Sequence, residues 1–231
     1  MHEIIPGILE KDYDELKNKI ALVRGIVPVV QIDLCDGVFV PSRTWPFASG
    51  SGADEHLKKI LNEQEGMPFW EDIDFELDLM VADAVENFDL YTKLGAKRII
   101  FHLEAVKNLE NFKNFLEGLD VYIREMIQIG IAINPSTPSE KLFLLIPYID
   151  FVQCMGNDNI GHHGVELDEQ VYEKIKILRE KYPDMPIAVD IGVNMTTAPL
   201  LIKAGANRLI AGSAIFNTND IIDTINQYKS L

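Results

Sequence analysis

Apolar positions along this chain switch between a period of two and a period near 3.6, and the switching runs from one end to the other. Val29–Pro41, VVQIDLCDGVFVP, shows the shorter period: Val30, Ile32 and Leu34 share one face, Gln31, Asp33 and Cys35 the other, and Asp36-Gly37 is a turn signal. Either this strand has its polar face inside a barrel, or it is a solvated edge strand. Glu3–Leu9 is an earlier apolar run, and Tyr13, Leu16, Ile20 and Val23 then recur at helical spacing as far as Gly25. Further strands are predicted at Phe75–Val81, Arg98–Leu103, Ile127–Asn134, Ile149–Met155, Pro186–Asp190 and Arg208–Ala211. Helices are predicted between them: Ala53–Asn62, Ala84–Leu94 closed by Gly95, a segment bearing Leu109, Phe112 and Leu116, Pro138–Ile146, Asp168–Lys181, Thr197–Ala204 and Thr218–Lys229.

Eight strand–helix units with no linker or break in composition predict an α/β fold, a single-domain (β/α)8 TIM barrel over residues 1–231. The rival is a doubly wound open sheet. Loops Ser42–Gly52 and Glu63–Asp72 are long, and Trp70 in the second is expected to pack on the barrel or on a second subunit.

In a closed barrel alternate strand residues face inward, and active sites occupy the C-terminal rim. The inward set then includes Asp33, Asp78, His102, Asn134 and Asp190, while Ile32, Leu77, Leu79, Phe101, Ile133 and Val189 face the helices. A lone aspartate at a strand end ordinarily caps a turn or helix. Three converging carboxylates are different, because they repel unless a cation or a shared proton relieves them. Gly161-His162-His163-Gly164 follows the sixth strand, and Gly192 and Gly212-Ser213 follow the seventh and eighth. Barrel enzymes often hold a phosphate there on backbone amides; the plainer reading is turn glycines and solvated histidines.

Hydrophobic residues make up 47% of the 231, enough for one core, and 36 acidic against 21 basic side chains give a net charge of −15. That charge disfavours nucleic acid or anionic membrane as a partner. A bound phosphate must therefore be held locally. Cys35 and Cys154 predict no disulfide framework and a reducing compartment. With no N-terminal signal and no apolar run of 18 residues, a cytoplasmic location is expected.

Read together, seven stretches resemble the ribulose-phosphate 3-epimerase family, in family order and over nearly the whole chain. They are Ile5-Pro6-Gly7-Ile8-Leu9, Asp33-Leu34-Cys35-Asp36-Gly37-Val38-Phe39-Val40-Pro41 and Asp78-Leu79-Met80-Val81, followed by Phe101-His102-Leu103-Glu104-Ala105 and Ala132-Ile133-Asn134-Pro135. Val189-Asp190-Ile191-Gly192-Val193-Asn194 and Ala211-Gly212-Ser213-Ala214-Ile215-Phe216 complete the set. The resemblance implies a barrel that inverts carbon 3 of a ketopentose phosphate through an enediolate. Two aspartates on opposite faces of the substrate exchange the proton, and a divalent metal stabilises the charge. It implies Asp33 and Asp190 as the catalytic pair. Substrate and phosphate would meet Gly7, Met80, Met155, Gly161, His162, His163, Gly164, Gly192, Gly212 and Ser213.

Gln31, Asp33, Asp78 and Asp190 would be the metal positions, but Gln31 and Asp78 stand where the family has histidines. Oxygen donors shift the preference to Mg2+ or Mn2+ over Zn2+, and a site without metal stays open. Gly7 replaces a family serine, Ile191 replaces the first glycine of the phosphate turn, and the loop after the sixth strand departs at Asp158, Asn159 and Ile160. Three readings follow: an epimerase acting on a phosphorylated ketose, a barrel that binds a sugar phosphate without turnover, and a related isomerase, aldol-type or decarboxylase chemistry. Assembly as a homo-oligomer is left open.

Overall fold

A computed structural model of the protein describes residues 2–48 and 54–231. In chain order the elements are β1 (Glu3–Ile8), α1 (Tyr13–Val23), β2 (Val29–Cys35), α2 (Glu55–Leu61), β3 (Asp74–Met80), α3 (Phe88–Lys93), β4 (Arg98–His102), α4 (Leu109–Glu117) and α5 (Val121–Met126). There follow β5 (Gln128–Ile133), α6 (Glu140–Phe143), β6 (Phe151–Met155), α7 (Gln170–Lys181), β7 (Ile187–Asp190), α8 (Ala198–Ala204), β8 (Arg208–Ala211), α9 (Ser213–Phe216) and α10 (Ile221–Lys229). The strands are parallel, each pairs with the next, and β8 returns to β1, so the sheet is a closed (β/α)8 TIM barrel. Closure removes the edge-strand reading of β2.

The alternation read from the sequence decides what each face meets. Ile32, Leu77, Leu79, Phe101 and Val189 are buried with Leu16, Ile20, Ile175, Leu178 and Leu201 of the helices. Gln31, Asp33 and Cys35 turn the other way, into the barrel, as the same two-residue period demands.

Several predicted helices are shorter than expected. The Asp36 carboxylate accepts the Ala82 amide at 2.8 Å, and residues 82–87 form turns, so the predicted helix Ala84–Leu94 starts only at Phe88. The predicted helix Pro138–Ile146 is reduced to α6, followed by a 3-10 turn, Ile146–Tyr148, that contains Pro147. The last helix begins at Ile221, behind the separate short α9. The predicted helix start at Ala53, and the end of the loop Ser42–Gly52 from Ser49 on, lie outside the described residues. Trp70 covers Gly66 and stays 61% exposed.

The N-terminal mouth of the barrel is closed by charge. Arg98 donates to Glu76 at 3.0 Å and to Glu3 at 3.3 Å, and Arg208 meets Glu3 at 3.4 Å. The Arg208 guanidinium also stacks over the Phe151 ring, 4.9 Å from its centroid. Gly130 on β5 leaves room for that ring: a methyl added there would collide with Phe151. Gly130→Ala should therefore destabilise the protein by about 1–3 kcal/mol through overpacking. Denaturant titration checks this, and a parental midpoint would show that the ring has room to move.

Candidate active site

The opposite, C-terminal rim holds the acids. Register sets Asp33 beside Asp78 across β2 and β3, and Met155 beside Asp190 across β6 and β7. Asp33 and Asp190 line a cavity of about 560 Å³ that opens at this rim. Asp78 is fully buried beneath it. The three carboxylates lie within 4.8 Å of one another.

Such crowding requires donors, and the barrel supplies amides and an imidazole. Gln31 Nε2 donates to Asp33 at 2.9 Å and to Asp190 at 3.4 Å. His102 Nε2 lies 2.8 Å from one Asp78 oxygen, and Gln153 Nε2 donates to the other at 3.2 Å. Gln31, His102 and Gln153 are all buried. The Ile191 amide donates to Asp190 at 2.7 Å.

These contacts do not offset burial. Burial, then the charges of Asp190 and Asp78, hold Asp33 well above the ordinary carboxylate range, against the lowering effect of the Gln31 amide. Burial, then Asp78, pushes Asp190 up to about 7. At His102 burial disfavours the imidazolium, but the Asp78 carboxylate outweighs it and the pKa rises. Two acids that share protons near neutrality, side by side on a cavity floor, can remove and return a proton.

The glycine turns lie where the sequence placed them. Gly7, Gly192, Gly212 and Ser213 line the cavity on the β1, β7 and β8 side, and Gly161–Gly164 lines the opposite wall together with His162 and His163. Both histidines are exposed: His162 Nδ1 lies 3.3 Å from the Ser42 hydroxyl, and His163 Nε2 lies 3.3 Å from the Leu9 carbonyl. Met80 reaches the cavity. Met155 does not; it is buried with its sulfur 3.7 Å from Gln153 Nε2. Asn134, predicted to face inward, keeps its side-chain oxygen buried, while its amide donates to Glu104.

Two contributors had no assigned role in the sequence. Gln153 sits two residues after Phe151, so its parity alone places it inward. His102 was placed inward, but its partner is visible only once β3 and β4 are paired. Both thiols are free and buried, and burial pushes Cys154 up to about 12 and raises Cys35 as well. No helix among the described residues is long and apolar enough to cross a membrane.

The donor set can be tested against a divalent metal. Three carboxylate oxygens at this spacing suit a hard, oxygen-seeking dication, whose charge would relieve the repulsion that raises their pKa values. Gln31 Oε1 is buried without a partner, and a half-turn of the amide would present it to the acids in place of Nε2. The residues therefore fit a metal of that class.

Residues 3–216 match the family model described as Ribulose-phosphate 3 epimerase family. The chain is 30% identical to the ribulose-phosphate 3-epimerase of Eremothecium gossypii, covering 98% of this chain and 91% of that protein. It is 29% identical to the enzyme of the same name from Bacillus subtilis, covering 99% of each. Among solved structures, KGPDC from Streptococcus mutans, in a complex with a pentose phosphate, is similar in fold, with a TM-score of 0.71 at 14% identity over 99% of this chain and 96% of that one. 3-Hexulose-6-phosphate synthase from Salmonella typhimurium has a TM-score of 0.67 at 15% identity, over 99% and 97% of the two chains.

Proposed function

This chain belongs to the ribulose-phosphate 3-epimerase family, and on that premise we propose that it inverts carbon 3 of a ketopentose phosphate through an enediolate. One observation carries the reading. Asp33 and Asp190, the two acids matching the family's proton-transfer pair, open onto one cavity with glycine turns at its β7–β8 end. In this reading one aspartate removes the carbon-3 proton from one face, and the other delivers a proton to the opposite face. Gln31 holds both carboxylates in register, and Met80 with Leu9 keeps part of the wall apolar. The phosphate rests near Gly192, Gly212 and Ser213.

Asp33, Asp78 and Asp190, with Gln31 Oε1, would hold a divalent ion, Mg2+ or Mn2+ in preference to Zn2+. When bound, that ion supplies stabilisation for the negative charge that develops on the substrate oxygens.

Proton exchange at carbon 3 of ribulose 5-phosphate in deuterated water, with and without added dications, tests the reading. Deuterium at carbon 3 supports it. A bound but unexchanged sugar phosphate would instead support the second reading, binding without turnover, which the replacement of both family histidines favours.

Gly212 gives a separate check on the phosphate end. A side chain there would start 3.0 Å from the Gly7 carbonyl oxygen, and valine would also intrude on the anion. Gly212→Val should weaken sugar-phosphate binding by about tenfold or more, the value of one charge-assisted hydrogen bond. Calorimetry reads the affinity, and an unchanged Kd would place the phosphate elsewhere.

A further inference from the structure

Ile191 combines an unfavourable backbone with a position between the two halves of the site. Its φ is +75°, a left-handed conformation next to Gly192 at +73°. Glycine adopts that region freely, whereas a β-branched side chain is crowded there. The other non-glycine residues with positive φ among those described, Glu63 and Phe69, lie between α2 and β3, away from the cavity. Strain of this kind persists where surrounding structure imposes it and the side chain is used. The Ile191 amide is tied to Asp190 at 2.7 Å, and its carbonyl lies where any Gly156 side chain would be. The side chain packs on the buried cluster that includes Met80, Met155 and Ile160, and it lines the cavity.

We propose that Ile191 is a specificity-determining residue that limits the length of the carbon chain between the reacting carbon and the phosphate. This role rests on the epimerase reading given above. The acid is the residue before Ile191 and the phosphate turn is the residue after it, so the substrate's carbon chain runs past this side chain. Glycine would free the volume of four carbon atoms, whereas one added CH(OH) unit brings two heavy atoms. A hydroxyl pressed against the isoleucine would also lack a hydrogen-bond partner. The chain as it stands therefore selects a pentulose phosphate over a hexulose phosphate.

The test uses the parent, Ile191→Gly and Ile191→Asn, both replacements being compatible with a left-handed backbone. Calorimetry measures affinity for a pentulose 5-phosphate and a hexulose 6-phosphate, alongside turnover of each. The hexulose-to-pentulose affinity ratio should rise by about 10- to 100-fold in the glycine variant and less in the asparagine variant. Parental turnover with an unmoved ratio in both folded variants would overturn the inference alone. A shifted ratio in a parent that turns over neither sugar would uphold the inference and remove the epimerase reading. A parent that binds neither sugar phosphate would remove both. If neither variant folds, Ile191 is a structural residue and the inference fails.

Discussion

Replacing Asp190 by asparagine should slow proton exchange at carbon 3 by about 10²- to 10⁴-fold, the range general acid–base groups contribute. Asparagine keeps the shape and the oxygen that accepts the Ile191 amide at 2.7 Å, so the β7 end should hold its course. What is lost is an atom able to take up and release a proton. Asp33→Asn should behave alike, because Asp33 shares the Gln31 donor and opens onto the same cavity. The double variant should fall little below either single one, since two groups that act in one transfer are not additive. Deuterium incorporation into ribulose 5-phosphate, followed by NMR, is the measurement. A folded single variant exchanging at the parental rate would remove that residue from the mechanism.

Both residues were legible before any coordinates. Asp33 and Asp190 end short apolar runs whose two-residue period settles which face is inward, and closure of the barrel converts that face into a cavity. The glycines at 192 and 212 were legible for the same reason, as turns directly after strands. Contacts between strands were not. His102 and Gln153 bind Asp78 from β4 and β6, on either side of the barrel interior, and no spacing along the chain encodes that meeting. Nor does spacing reveal that Gln31 would place its nitrogen, rather than its oxygen, between Asp33 and Asp190.

Helix ends failed where tertiary contacts took over. The Ala82 amide goes to Asp36 instead of a helix, and α5 leaves Val121, Tyr122 and Met126 exposed, so no apolar stripe announces it. Ile191 is the instructive departure. Local preference argues for glycine at its backbone angles, and the chain overrides that preference inside the cavity.

The acid pair should also reverse the usual dependence of stability on pH. A carboxyl pushed up to about 7 in the folded protein, against about 4 unfolded, makes the folded state bind more protons between those values. Stability from this group is then fullest below pH 4 and is lost as pH rises through 7, becoming flat above; the sign follows from the proton balance. The size is on the order of 4 kcal/mol, at about 1.4 kcal/mol per pH unit across the window. Asp33, also held well above the ordinary range, acts in the same direction. Other ionisable groups contribute to the measured curve, so the decisive quantity is the difference between parent and Asp190→Asn, taken by denaturant titration at pH 5 and pH 8 in chelator. The variant should gain on the parent by several kcal/mol between the two pH values, and so be the more stable protein where it is the less active one. A burial penalty retained for an acid that must change its protonation during turnover has that consequence: removing the charge relaxes the site and disables it. Parallel curves for parent and variant would mean that Asp190 ionises at an ordinary pH, and the shared-proton description of the site would go with it.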